Sequence, residues 1–186
     1  MRPRKAGSWS KVKAGLAGVD RPGLIGIIQN LYEANSANRR FLHARFVPEA
    51  AAIETYRTLV EDAVAPDPLS QRPIRLRDAT AAITEYKRST ADISGVVDLL
   101  LTFVEAGTQQ AADLGCGDDP YFAALERKAR EAVAALDGLP AAARAAAEER
   151  LIRLGEYQDR IGWGYGDFLG DVAASVKNRV AERAKG

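Results

Sequence analysis

The chain has one cysteine, Cys116, and one histidine, His43, among its 186 residues. A single thiol closes no internal disulfide, which agrees with a reducing compartment, and a single imidazole excludes a histidine-rich metal site. Long apolar runs are missing as well, for none approaches the ~18 uncharged residues that a membrane span requires. The first residues are basic (Arg2, Arg4, Lys5) but lack the apolar segment of a secretory signal, so the chain is expected in the cytoplasm with no membrane partner. Alternating β-branched stretches are scarce, which argues against a sheet. What is plentiful is alanine, leucine, glutamate and arginine. With 47% hydrophobic and 27% charged residues, the composition is that of an all-α globular protein.

Residues 91–114 carry the strongest helical signal. At about 100° per residue, Ile93, Val96, Val97, Leu99, Leu100, Leu101, Phe103 and Val104 fill an arc of roughly 200°, and Ser94, Asp98, Thr102 and Glu105 take the remainder. A surface helix has no use for so wide an arc. Burying each of those apolar side chains contributes roughly 1.5–3 kcal/mol before entropy is subtracted, so neighbours must cover the segment on at least two sides. Gly107, Thr108 and Ala111 would let another backbone come close, and Leu114 is expected to close the stripe. The polar arc is expected to tolerate change, with Asp98→Ala costing little.

Other helices are legible on either side. Ser8 or Ser10 can cap a short one with Trp9, Val12 and Leu16. Asp20 and Pro22 open a second in which Leu24, Ile27, Ile28, Leu31 and Tyr32 follow helical spacing. Asn35 and Ser36 break and recap the chain before Phe41, Leu42 and Phe46, and Pro48 opens a helix with Ile53, Tyr56, Val60 and Val64 inward. A loop with Pro66, Pro68 and Pro73 follows. Beyond it, Leu76 and Asp78 precede a helix bearing Ala79, Ala82, Ile83 and Tyr86. Asp119 and Pro120 start the one with Tyr121, Phe122, Leu125, Val133 and Leu136. Gly138 to Pro140 turns into a long alanine-rich helix through Ile161, and the last carries Phe168, Leu169, Val172 and Val176. The whole is one helical domain over 1–186, a bundle of eight to nine helices. Within it, 8–65 can form an N-terminal subdomain joined by the loop 65–73 to a main bundle at 74–184. Consecutive pairs also allow a HEAT-like stack, although no internal repeat period is found.

Charge is unevenly spread beneath a net +1. Residues 1–46 carry nine Lys/Arg against two Asp/Glu, and residues 91–137 carry three against nine. These segments either attract each other or face partners of opposite sign. Lys11, Lys13, Arg39, Arg40, His43 and Arg45 form a candidate contact face for a partner or for nucleic acid, which Arg72, Arg75 and Arg77 could extend. The glycine-rich run Gly162-Trp163-Gly164-Tyr165-Gly166-Asp167 follows a helix, not a strand, and so does not read as a phosphate loop. It reads as a bend in which Trp163 and Tyr165 plug the core, or join the partner contacts if exposed, and Asp167 caps the last helix. Glu105, Asp113, Asp118 and Asp119 are the carboxylates that a hard cation would use, but their spacing matches no calcium loop. Thiol chemistry would need Cys116 and His43 to meet in space.

The order of Ala82-Ile83-Thr84-Glu85-Tyr86-Lys87, then Asp98-Leu99-Leu100-Leu101-Thr102-Phe103-Val104-Glu105-Ala106-Gly107, then Gly117-Asp118 and Tyr121-Phe122-Ala123-Ala124-Leu125-Glu126 resembles the bacterial family catalogued as domain of unknown function 6155. The 24–46 helix pair and the 161–167 segment look like that family too. The resemblance implies a compact, all-helical bacterial protein and carries over no activity, cofactor or catalytic residue. The residues themselves point first to a non-enzymatic interaction or accessory protein that binds another protein. A nucleic-acid-associated protein using the basic N-terminal face is second, and a carboxylate-based metal-dependent enzyme third. No cofactor is expected, and a second copy of the chain is a further partner to consider.

Overall fold

The computed structural model describes residues 8–47, 50–162 and 164–185. Among them all regular structure is helical: α1 Trp9–Leu16, α2 Arg21–Ala34, α3 Ser36–Phe46, α4 Ala50–Val64, α5 Leu76–Ser89, α6 Ile93–Leu114, α7 Asp119–Ala135, α8 Ala141–Leu154, the one-turn α9 Gln158–Ile161 and α10 Tyr165–Arg183. The chain divides into two compact units, Met1–Val47 and Pro48–Gly186.

In the first unit, Asp20 caps α2 by accepting the Gly23 N–H at 2.9 Å, with Pro22 in the first turn, where its missing N–H costs little. Asn35 is extended between α2 and α3, and its side chain caps α3 by accepting the Asn38 N–H at 2.8 Å. The two helices are tied at the C-terminal end of α2. Asn38 donates from Nδ2 to the Leu31 carbonyl at 2.6 Å, and the rings of Tyr32 and His43 stack with centroids 5.6 Å apart.

The second unit is built around α6, which packs on α4, α5, α7 and α8. Val97, Leu99, Leu101, Phe103 and Val104 are at most 1% exposed, as expected of a helix enclosed on several sides. A Cβ on Gly107 would overlap the Leu125 side chain, so the small residue at that point is what lets α7 lie close. The burial stops short of both ends: Ile93 is 54% and Leu114 51% exposed. Leu114 therefore does not close the stripe, because the last buried position is Ala111 and the helix runs one turn further to its Gly115 cap.

The division between units falls before α4, not at the proline-rich loop. α4 packs on α5 and α6, with Tyr56, Val60, Ala63 and Val64 buried, and the Tyr56 hydroxyl donates to Glu85 at 2.8 Å. Segment 65–75 leaves α4 and returns to it, since the Arg75 N–H donates to the Ala63 carbonyl at 2.7 Å. It is a closed excursion within one unit. Pro48, expected to open α4, lies outside the described residues.

Helix ends differ from the sequence reading by a residue or a turn. α5 already begins at Leu76, which puts Asp78 in its first turn. Asp92 caps α6 through Gly95, and Asp118, one residue before the expected Asp119, caps α7 through the Tyr121 N–H at 2.9 Å. The alanine-rich helix stops at Leu154. There Gly155 faces α10 so closely that a Cβ would lie 2.6 Å from that of Ala173, and the chain tightens into the 3-10 turn Gly155–Tyr157 before α9.

Leu100→Ala, in the enclosed part of α6, is expected to cost about 2–5 kcal/mol in urea unfolding. Ile93→Ala, on the same helix but open to solvent, should cost about 0.5 kcal/mol or less. Equal costs would mean that α6 is not the centre of its unit.

Candidate functional site

The first unit departs from the habit of helices to hide their apolar side. Among the described residues of α1, α2 and α3, only Ala44 is buried. Large apolar side chains stand in water instead: Trp9 at 70%, Ile25 at 56%, Leu31 at 51% and Phe46 at 71%, with Val12, Ile27, Ile28 and Phe41 also exposed. On α2 they form an order. Leu24, Ile27, Ile28 and Leu31 recur at i, i+3, i+4 and i+7, the row that one helix offers another. α3 secures the C-terminal end of α2 through Tyr32 and Asn38 and leaves Ile27, Ile28 and Leu31 exposed.

The basic residues singled out from sequence lie in the same unit. Lys11, Lys13, Arg39, His43 and Arg45 are exposed, and Arg40 is half-buried. His43 also has a partner in its own unit, the Tyr32 hydroxyl 3.0 Å from Nε2. Trp163 lies outside the described residues. Tyr165 is 4% exposed, its hydroxyl shares a 2.7 Å hydrogen bond with Thr108, and its ring stacks on Phe122 at 5.0 Å. It is therefore a core plug and not a contact residue. Gly162 and Gly164, at φ 84° and 83°, take a backbone conformation that side chains disfavour, and so allow the bend that turns Tyr165 inward. Asp167 lies in the first turn of α10 and accepts from the Gly164 N–H at 3.4 Å.

In the second unit the polar arc of α6 is the surprise. Ser94, Asp98, Thr102, Glu105 and Gln109 line one stripe, and arginines from two other helices reach it. Asp98 accepts from Arg57 of α4 at 2.7 Å through Oδ2 and from Arg150 of α8 at 2.7 Å through Oδ1. Arg150 also donates to Glu105, at 2.9 and 2.6 Å. Burial would lower the Arg150 pKa, but its hydrogen bonds to Glu105 and the charges of Glu105 and Asp98 outweigh it and raise the value. The Arg57 value is raised mainly by its hydrogen bond to Asp98. Asp98 is thus a cross-brace between three helices, contrary to the expectation that alanine could replace it at little cost. The sequence carried a trace of this: Arg57 and Arg150 are the counter-charges that a half-buried Asp98–Glu105 stripe requires, but only the fold brings residues 41 and 52 positions away to it.

Two clefts flank the brace. One of about 420 Å³ includes Glu61, Thr102, Glu105, Gln109, Arg150 and Tyr157, and one of about 310 Å³ includes Ile53, Asp92, Asp98, Leu101, Leu139 and Arg150. The carboxylates considered for a metal are dispersed among other tasks. Glu105 holds Arg150, Asp113 receives Gln109 and Arg160, Asp118 caps α7, and Asp119 sits in the first turn of α7. Among the described residues no three His, Cys, Asp or Glu side chains are grouped to hold a metal ion. Cys116 is half-buried near the end of α6, its thiol 3.6 Å from the Gln110 carbonyl. No helix among the described residues is long and apolar enough to cross a membrane. Compared with protein-family models, with curated proteins and with solved structures, the chain matches none.

A double-mutant cycle on Arg150→Ala and Asp98→Ala should give a coupling of roughly 1–3 kcal/mol. The exposed Arg153 and Glu149 pair, 3.6 Å apart, should give about 0.5 kcal/mol or less. A brace that couples no better than this surface pair would not be one. A second expectation concerns alkali. Burial is the first cause that raises the pKa of Tyr86, Tyr121 and Tyr165 above the ordinary 10.0. The folded state therefore binds these protons more tightly than the unfolded chain, so their contribution is complete below about pH 10 and is lost as pH rises further. Urea midpoints should fall steeply above that pH, and less so for Tyr165→Phe. An identical slope in the variant would contradict the assignment.

Proposed function

We propose that this chain is a non-enzymatic helical interaction protein whose first unit docks another protein. The observation that carries the reading is the open row Ile27, Ile28 and Leu31 on α2, in a unit that also exposes Trp9 and Phe46. Apolar surface left in water on an otherwise ordered helix is the usual mark of a partner site. The second unit supports this by contrast, since its charged stripe is taken up by internal ion pairs. The likeness to the domain-of-unknown-function 6155 family adds an expectation of bacterial origin, and the cytoplasm is the compartment that this reading assumes. A second reading, nucleic-acid association, draws on the exposed Lys11, Lys13, Arg39 and Arg45.

The two readings separate in one experiment. Affinity capture from nuclease-treated lysate of the source organism should retain a specific protein on the wild-type chain and lose it on Ile28→Glu. Ile28 is exposed, so the substitution should leave the melting temperature within a degree or two. Capture unchanged by Ile28→Glu would refute the docking reading. Material that disappears on nuclease treatment would favour the nucleic-acid one.

A further inference from the structure

On the reading that the first unit docks a protein, the partner's chemistry can be specified, and we infer that the α2 row receives an acidic amphipathic helix of another polypeptide. Shape and charge both support this. α2 is 14 residues long, about 21 Å, and its apolar residues recur at i, i+3, i+4 and i+7, which is the spacing of a helix-pairing seam. Charge then selects the partner's sign. Residues 1–46 carry nine basic and two acidic side chains. At 100° per residue Arg21 falls on the same arc as Ile28, whereas Glu33, the one acid of α2, falls opposite Leu24 and is engaged by Gln29 at 3.0 Å. α1 repeats the arrangement, with Lys13 beside the exposed Trp9 and Val12.

Other occupants fit less well. A second copy seated α2 against α2 would bring two first units, each near +7, into contact, and like charges facing one another oppose such pairing. A nucleic acid would engage the lysines and arginines and leave the isoleucines in water. A helix with leucines on one side and glutamates along its flanks meets both demands, because it covers the row and complements the unit's net positive charge.

The test uses the full chain and a labelled peptide of about three heptads, with leucine at a and d and glutamate at e and g, followed by fluorescence anisotropy. The comparison peptide carries lysine in place of glutamate. The glutamate peptide should bind at least about tenfold more tightly than the lysine peptide, and should weaken as salt rises from about 0.05 to about 0.5 M. Ile28→Glu should abolish the binding, and the combined Lys13→Glu and Arg45→Glu should weaken it about tenfold or more without touching the apolar row. Equal or better binding of the lysine peptide overturns the inference. So does the absence of binding by either peptide, including a case in which sedimentation with phosphatidylserine vesicles or a salt-independent dimer accounts for the surface instead. If the inference falls while Ile28→Glu still loses its captured protein, the docking reading survives and only the acidic helix is withdrawn.

Discussion

One aspartate holds two arginines from two helices against a third. Somewhat more than half of α6's circumference is apolar and would be content under any hydrophobic cover, but the remaining side carries Asp98, Thr102 and Glu105. Covering that side without counter-charges would strip water from two carboxylates at a cost of several kcal/mol each. Arg57 and Arg150 meet that demand, and in doing so they set where α4 and α8 can lie. The buried residues around α6 then supply the bulk of the stability, and the brace ties α4 and α8 to it. The two clefts beside Arg150 lie next to this brace.

The first unit obeys the opposite rule. Its two longer helices are capped, α2 by Asp20 and α3 by Asn35, yet they bury almost nothing of their own. Caps specify local structure at roughly 1 kcal/mol each and cannot replace a core. A set of helices specified locally but left uncovered is suited to completion by something else. This is why the functional reading rests on α2 and not on the clefts of the second unit.

Much of the architecture was legible in the sequence because helical spacing and capping residues are local signals. The apolar arc of α6, the cap and proline of α2 and the break at Asn35 could all be read from neighbours within a few positions. What could not be read depended on distant residues. Asp98 looked dispensable because its partners are 41 and 52 residues away. The boundary of the units was misplaced because prolines mark a loop but not whether it returns on itself, as the Arg75 to Ala63 hydrogen bond makes this one do. The alanine-rich helix seemed to run to Ile161 because nothing near Gly155 signals that Ala173 will lie against it. The basic residues of the candidate site were found from composition, but the exposure of the isoleucines beside them was not, since amphipathic spacing reports a face and not what covers it.

The two units therefore make opposite use of the same helical grammar: one is closed around a braced centre, and the other leaves its apolar seam exposed. Native-state amide hydrogen exchange on the isolated chain tests this most directly. The account predicts that amides of 97–111 in α6 exchange only through global unfolding, while those of α2 exchange through local opening at far lower cost. Protection of α2 equal to that of α6, or early exchange along 97–111, would contradict it.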